Sequence, residues 1–168
     1  MNGELERLGH FNLELSKKVA QNCPILNKEN FILLFYKNFG GLCNSILKSD
    51  GKSAQRELSK LLIILNALHI SVTTENYKYD YRELKYYSRA SRDNYHYIEE
   101  ILEFFIDFCG HFLENEDKKM RSDLGFYKSA TFVFTAIFAY AEYFLDGSLA
   151  LCYEAKKTIE KENVFYDK

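Results

Sequence analysis

Apolar residues recur along this chain at steps of three and four, the period of a helix that turns one face to a core. Over Glu4–Gln21 the stripe is Leu5, Leu8, Phe11, Leu15 and Val19. It stops at Asn22-Cys23-Pro24, because proline drives the residue before it away from helical geometry. Asn27 is placed to cap a second helix, whose stripe runs through Ile32, Phe35, Phe39, Leu42 and Ile46 to about Lys48. Ser49-Asp50-Gly51-Lys52 reads as a turn, and Ser53 opens a third helix with Leu58, Leu61, Leu62, Leu65 and Leu68 on its face. A turn this short makes the two helices antiparallel neighbours.

The pattern loosens over Thr73–Ser91. Tyr77, Tyr79 and Tyr81 alternate with charged residues as in a strand, but a lone strand has no partner, so a polar connector leading into a helix is predicted. Asp93–Leu113 is the cleanest amphipathic helix, with Ile98, Ile101, Leu102, Phe105, Phe108, Cys109 and Phe112 on one face. His96, Glu100, Glu103, Asp107 and His111 gather on the opposite face. Glu114–Ser122 reads as a charged linker, with Ser122 or Asp123 able to cap the next helix. Ser129–Leu145 is apolar nearly all round and belongs at the centre of a bundle. A membrane span is the competing reading, and the short run bracketed by Lys128 and Glu142 argues against it. Asp146-Gly147-Ser148 breaks the chain before a last helix over Leu149–Asn163. The expected fold is an all-α, single-domain bundle of five or six helices around a central apolar helix. It spans residues 1–168, with a helical hairpin over 27–72 and the C-terminal helices over 92–165.

Composition agrees and removes several functions. One proline and 8 glycines in 168 residues supply little turn chemistry for an all-β fold. A net charge of −2 gives no basic field for phosphate backbones, so no nucleic-acid binding is expected. Cys23, Cys43, Cys109 and Cys152 form no CxxC and have no histidine at zinc spacing, and the N-terminus is polar and acidic. The expectation is a cytoplasmic protein with reduced, mostly buried thiols, no cofactor and no membrane contact.

Three stretches carry a family resemblance. They are Asn30-Phe31-Ile32-Leu33-Leu34 with Gly40 and Leu42, the turn Lys48-Ser49-Asp50, and Arg56-Glu57-Leu58-Ser59-Lys60-Leu61-Leu62. Together, residues 30–72 resemble the hairpin of the MazG-type all-α nucleoside triphosphate pyrophosphohydrolases, whose first helix carries EExxE and whose second carries ExxD. The resemblance implies a magnesium-dependent nucleotide site and assembly through helices, hence a homodimer. The family's paired glutamates, however, fall on Lys37 and Asn38, its third on Gly41 and its aspartate on Lys60; Glu57 alone keeps a carboxylate. Magnesium is held by hard oxygen ligands, carboxylates among them. An ammonium group in place of a carboxylate, about 4 Å away at an effective dielectric near 20, reverses on the order of 4 kcal/mol of interaction. A glutamate between two lysines forms an ion pair sooner than a metal site. The reading is a degenerate pseudoenzyme acting as a non-catalytic interaction or regulatory protein, with an active pyrophosphohydrolase as the alternative.

Other constellations point elsewhere. Arg89 and His96 have the spacing that resembles HEPN-type ribonucleases, in which arginine steadies phosphate and histidine moves protons, but Ala90 replaces the usual asparagine. Glu57, Glu100, Glu103 and Asp107 are the remaining metal candidates, although bundle metal sites draw ligands from several helices. Glu142, on an otherwise apolar helix, is expected to be buried and hydrogen-bonded, for example to a tyrosine. Lys128-Ser129-Ala130-Thr131 before an apolar helix slightly resembles viral Bcl-type inhibitors, whose groove takes a partner helix. Tyr77, Tyr79, Tyr81, Tyr86 and Tyr87, interleaved with charges, form a candidate contact surface for a protein partner.

Overall fold

A computed structural model describes residues 2–23, 27–72, 93–113, 124–161 and 164–165. Among these residues the elements are all α-helices, joined by turns, with no strand. They are α1 (Asn2–Asn22), α2 (Lys28–Leu47), α3 (Gly51–Val72), α4 (Asn94–Leu113), α5 (Leu124–Phe144) and α6 (Ser148–Lys161). Asn27 caps α2 as its sequence position predicts, its side chain accepting from the Asn30 N–H at 3.0 Å. The third helix opens earlier than expected, at Gly51 rather than Ser53. Asp50 caps it, accepting from the Ser53 N–H at 3.1 Å.

The α2–α3 turn is closed by a pair of backbone hydrogen bonds, Asp50 N–H to the Ser45 carbonyl at 2.9 Å and Ser49 N–H to the Ile46 carbonyl at 3.0 Å. This Schellman closure needs one residue in the left-handed region, and Ser49 occupies it with φ 54°. The two helices then run antiparallel, Ser45 Oγ 2.9 Å from Ser53 Oγ and Gly41 against Glu57. A second antiparallel pair, α4–α5, is held by aromatic contacts, with Phe104 stacked on Phe132 and Tyr97 tilted against Tyr143.

The terminal helices pair differently. Phe11 meets Tyr153, Glu14 pairs with Lys156 and Lys18 with Glu160, each 142 residues apart. A constant offset means that α1 and α6 run parallel, in register, through nearly two turns of helix.

Two helices fill the centre. On α5, Val133–Ala141 is buried without a break, as its apolar sequence predicts. On α3, Leu61–His69 is buried just as continuously, since α1, α2, α5 and α6 all pack against it. This α3 run includes Asn66 and His69, which the leucine stripe does not reveal. Asn66 donates to the Asn12 side chain at 3.1 Å and to the Leu62 carbonyl at 2.9 Å, so its burial leaves its amide hydrogens satisfied. Among the described residues no helix is long and apolar enough to cross a membrane.

Candidate functional site

The α2–α3 hairpin brings together positions that the sequence pairs by motif. Glu57 lies directly over Gly41, so close that a β-carbon there would stand 2.8 Å from Glu57 Oε2. The lack of a side chain at Gly41 is therefore what lets the carboxylate lie flat against α2. Lys60, one turn on, sits 3.7 Å from Glu57 Oε1. Asn38 turns its amide back to the Leu34 carbonyl at 2.8 Å. The chemistry of this face is thus an ion pair beside a helix-bonded amide. Among the described residues, no three His, Cys, Asp or Glu side chains converge as metal ligands.

The polar face of α4 resolves into two local pairs. His96 Nε2 is 3.2 Å from Glu100 Oε1, and His111 Nε2 is 3.7 Å from Asp107 Oδ2, each one helical turn apart. Glu103 and Asp107 are exposed, while Glu100 is half-buried. Burial raises the Glu100 carboxyl above the usual range against the opposing pull of His96, and its Oε2 is enclosed without a hydrogen-bond partner. The candidate metal ligands Glu57 and Glu100 stand on different helices and each is engaged by a neighbour on its own helix. Arg89, the would-be partner of His96, lies outside the described residues, as do Tyr77, Tyr79, Tyr81, Tyr86 and Tyr87.

Glu142 corrects an expectation. It is exposed rather than buried, and its partner is Ser148, whose hydroxyl donates to Glu142 Oε1 at 2.8 Å and whose backbone N–H donates at 3.3 Å. The carboxylate therefore ties the α5–α6 turn and faces the positive start of α6. The cysteines divide evenly: Cys109 and Cys152 are buried, with thiols pushed up to about 12 by desolvation, while Cys23 and Cys43 are half-buried. None has the lowered pKa of a reactive thiolate.

A surface that the sequence stripes do not announce lies where α2 meets α4. Phe35 stacks on Phe105 with ring centroids 3.6 Å apart, and Tyr36 stands edge-on to the same ring at 5.4 Å. The Tyr36 hydroxyl is raised above its ordinary pKa by desolvation and by nearby Cys109. These rings form the floor of a seam between the two helices. Its flanks stay in water: Leu33 is 66% exposed, Leu47 72%, Tyr95 60%, Ile106 52% and Tyr36 39%. On α2, positions 33, 36, 40 and 47 recur at helical steps on the flank beside α4. On α4, positions 95, 102 and 106 do the same beside α2. The signal in sequence is that apolar residues on both helices extend past the core stripe onto one side. A count of stripe positions hides this, and helical phase exposes it. Beyond the apolar flanks the rims differ in sign, with Lys37 and Lys48 exposed on α2 and Glu99 and Glu103 exposed on α4.

No family model, curated protein or solved structure matches the chain.

Proposed function

We propose that this protein is a non-catalytic, cytoplasmic interaction or regulatory protein that works through the α2–α4 seam and self-associates as a dimer. One observation carries the reading: five large apolar side chains stand exposed along two adjacent helices, over an aromatic floor. Scattered exposed hydrophobes are ordinary, but apolar side chains gathered on one side of two neighbouring helices and rimmed by charge have the composition of a contact surface. In the same reading the α2–α3 hairpin is a degenerate counterpart of the MazG-type hairpin. Its surviving Glu57 is given over to Lys60 and to packing against Gly41.

The catalytic alternative is tested by incubating pure protein with a panel of nucleoside triphosphates and Mg²⁺ or Mn²⁺. No pyrophosphate release above buffer is expected. Metal-dependent release that disappears in Glu57→Ala contradicts the proposal, and metal-independent RNA cleavage lost in His96→Ala replaces it with a ribonuclease.

A further inference from the structure

Resting on that reading of the seam, we infer that its occupant is a second copy of this chain, docked about a two-fold axis that runs along the seam between α2 and α4. The register comes from two contacts. Phe35 lies over Phe105, and further along Lys48, past the end of α2, lines one cavity with Phe144, whose ring meets Tyr97 in the first turn of α4. Residue numbers rise along α2 as they fall along α4, so the two helices run antiparallel. At one rise per residue this sets Lys37 about level with Glu103, and Leu33 between Ile106 and Gly110.

A two-fold axis along the seam carries α2 of one copy over α4 of the other without changing height. Leu33 then descends between the partner's Ile106 and Gly110, which are one turn apart. By the same register, Ile106 descends between the partner's Leu33 and Lys37, also one turn apart. A β-carbon at Gly110, or at Gly40 further along α2, would find open space, nothing lying within 4 Å. Ridges of one helix therefore meet grooves of the other, as interdigitating helices require. The charges agree as well: Lys37 meets the partner's Glu103, and the symmetry repeats the pair. The other two-fold arrangement, with the axis across the helices, lays α4 on α4 and sets the acidic rim of Glu99 and Glu103 against the partner's acidic rim. Electrostatics favours the first.

The exposed area makes up most of what such a contact needs. The five exposed side chains offer on the order of 600 Å², and a stable contact needs roughly 800 Å² per partner. Gly40, Cys43, Leu102 and the charged rims lie along the same face and add to it.

Sedimentation velocity and light scattering on the full chain, from about 1 to about 100 µM, test this. The wild type is expected at twice 19.8 kDa at the upper end. Leu33→Glu and Ile106→Glu, both at exposed positions and checked for unchanged helical circular dichroism, are expected to weaken the dimer at least tenfold and run at 19.8 kDa. A dimer indifferent to both substitutions overturns the seam as its interface and leaves self-association standing. A wild type that stays at 19.8 kDa throughout overturns the dimer itself. In that case affinity capture from the native cell decides the broader reading. A protein retained by the wild type and lost in Ile106→Glu means that a different chain fills the seam. No such difference removes the seam from the interaction reading altogether.

Discussion

Two helix pairs in this molecule are built from the same ingredients and reach opposite ends. Along α1–α6, Phe11 and Tyr153 meet at 5.5 Å, Lys156 lies over the Phe11 ring, and Glu14–Lys156 and Lys18–Glu160 close the flanks. Those charges are matched within the chain. Along α2–α4, aromatic rings again make the floor, yet the apolar flanks are bare and the basic and acidic rims stand on opposite sides of the seam. The difference lies in register and direction. Parallel helices in constant register bring Glu14 to Lys156 and Lys18 to Glu160, whereas the bulky Phe35–Phe105 stack sits between α2 and α4 with their rims outside it. The first seam is covered along its flanks, and the second leaves Leu33, Leu47, Tyr95 and Ile106 in water.

The largest effect is expected from removing the floor of the open seam. Phe105 is wholly buried between Phe35 and Tyr36, so Phe105→Ala is expected to lose about 3–5 kcal/mol in urea unfolding. Tyr153→Ala, on the half-exposed flank of the closed seam, should lose much less. Comparable losses would mean that the two seams hold the fold in the same way.

The next effect in size concerns the centre that both seams enclose. His69 is 5% exposed, beside Phe134, and desolvation lowers its pKa to about 4 from an ordinary 6.5. A group whose folded pKa is depressed in this way, and which is neutral when folded, contributes its full stability above pH 6.5. That contribution is lost as pH falls towards 4. Between pH 7.5 and pH 5 the wild type is expected to lose about 2 kcal/mol that His69→Gln does not. Parallel stability curves for the two proteins would show that His69 is already solvated in the fold.

Much of this architecture is legible in the sequence. The stripes on α1, α2 and α4 mark real helices, and the uninterrupted apolar run of α5 marks a buried one. Asn27 declares its cap, because capping needs only a local side chain and a nearby N–H. Features that depend on tertiary placement are the ones that sequence conceals. Glu142 sits in an apolar segment, but it falls in the last turn of α5, where the helix leaves the core and Ser148 comes round to meet it. The burial of Asn66 and His69 depends on four neighbours closing over α3, which no single-helix pattern encodes. Leu33 and Ile106 look like core residues in composition, and their phase, off the stripes of Phe35 and Phe105, leaves them in water. The candidate site was legible in part: Glu57 with Lys60 forms the ion pair that their charges anticipate, while the seam emerges only once two helices share a floor.

Completion of the open seam by a second copy, through paired rims, can be read from a mixture of two charge-reversed proteins. Lys37→Glu alone brings two carboxylates together at each of the two symmetric contacts, and Glu103→Lys alone brings two ammonium groups together at each. Each variant is expected to be monomeric, or at least several-fold weaker than the wild type, in sedimentation velocity. Mixed in equal amounts, they place opposite charges at both contacts, and a heterodimer at twice 19.8 kDa is expected to form. A mixture that stays as weak as its separate components, or single variants that dimerise as well as the wild type, would contradict the account.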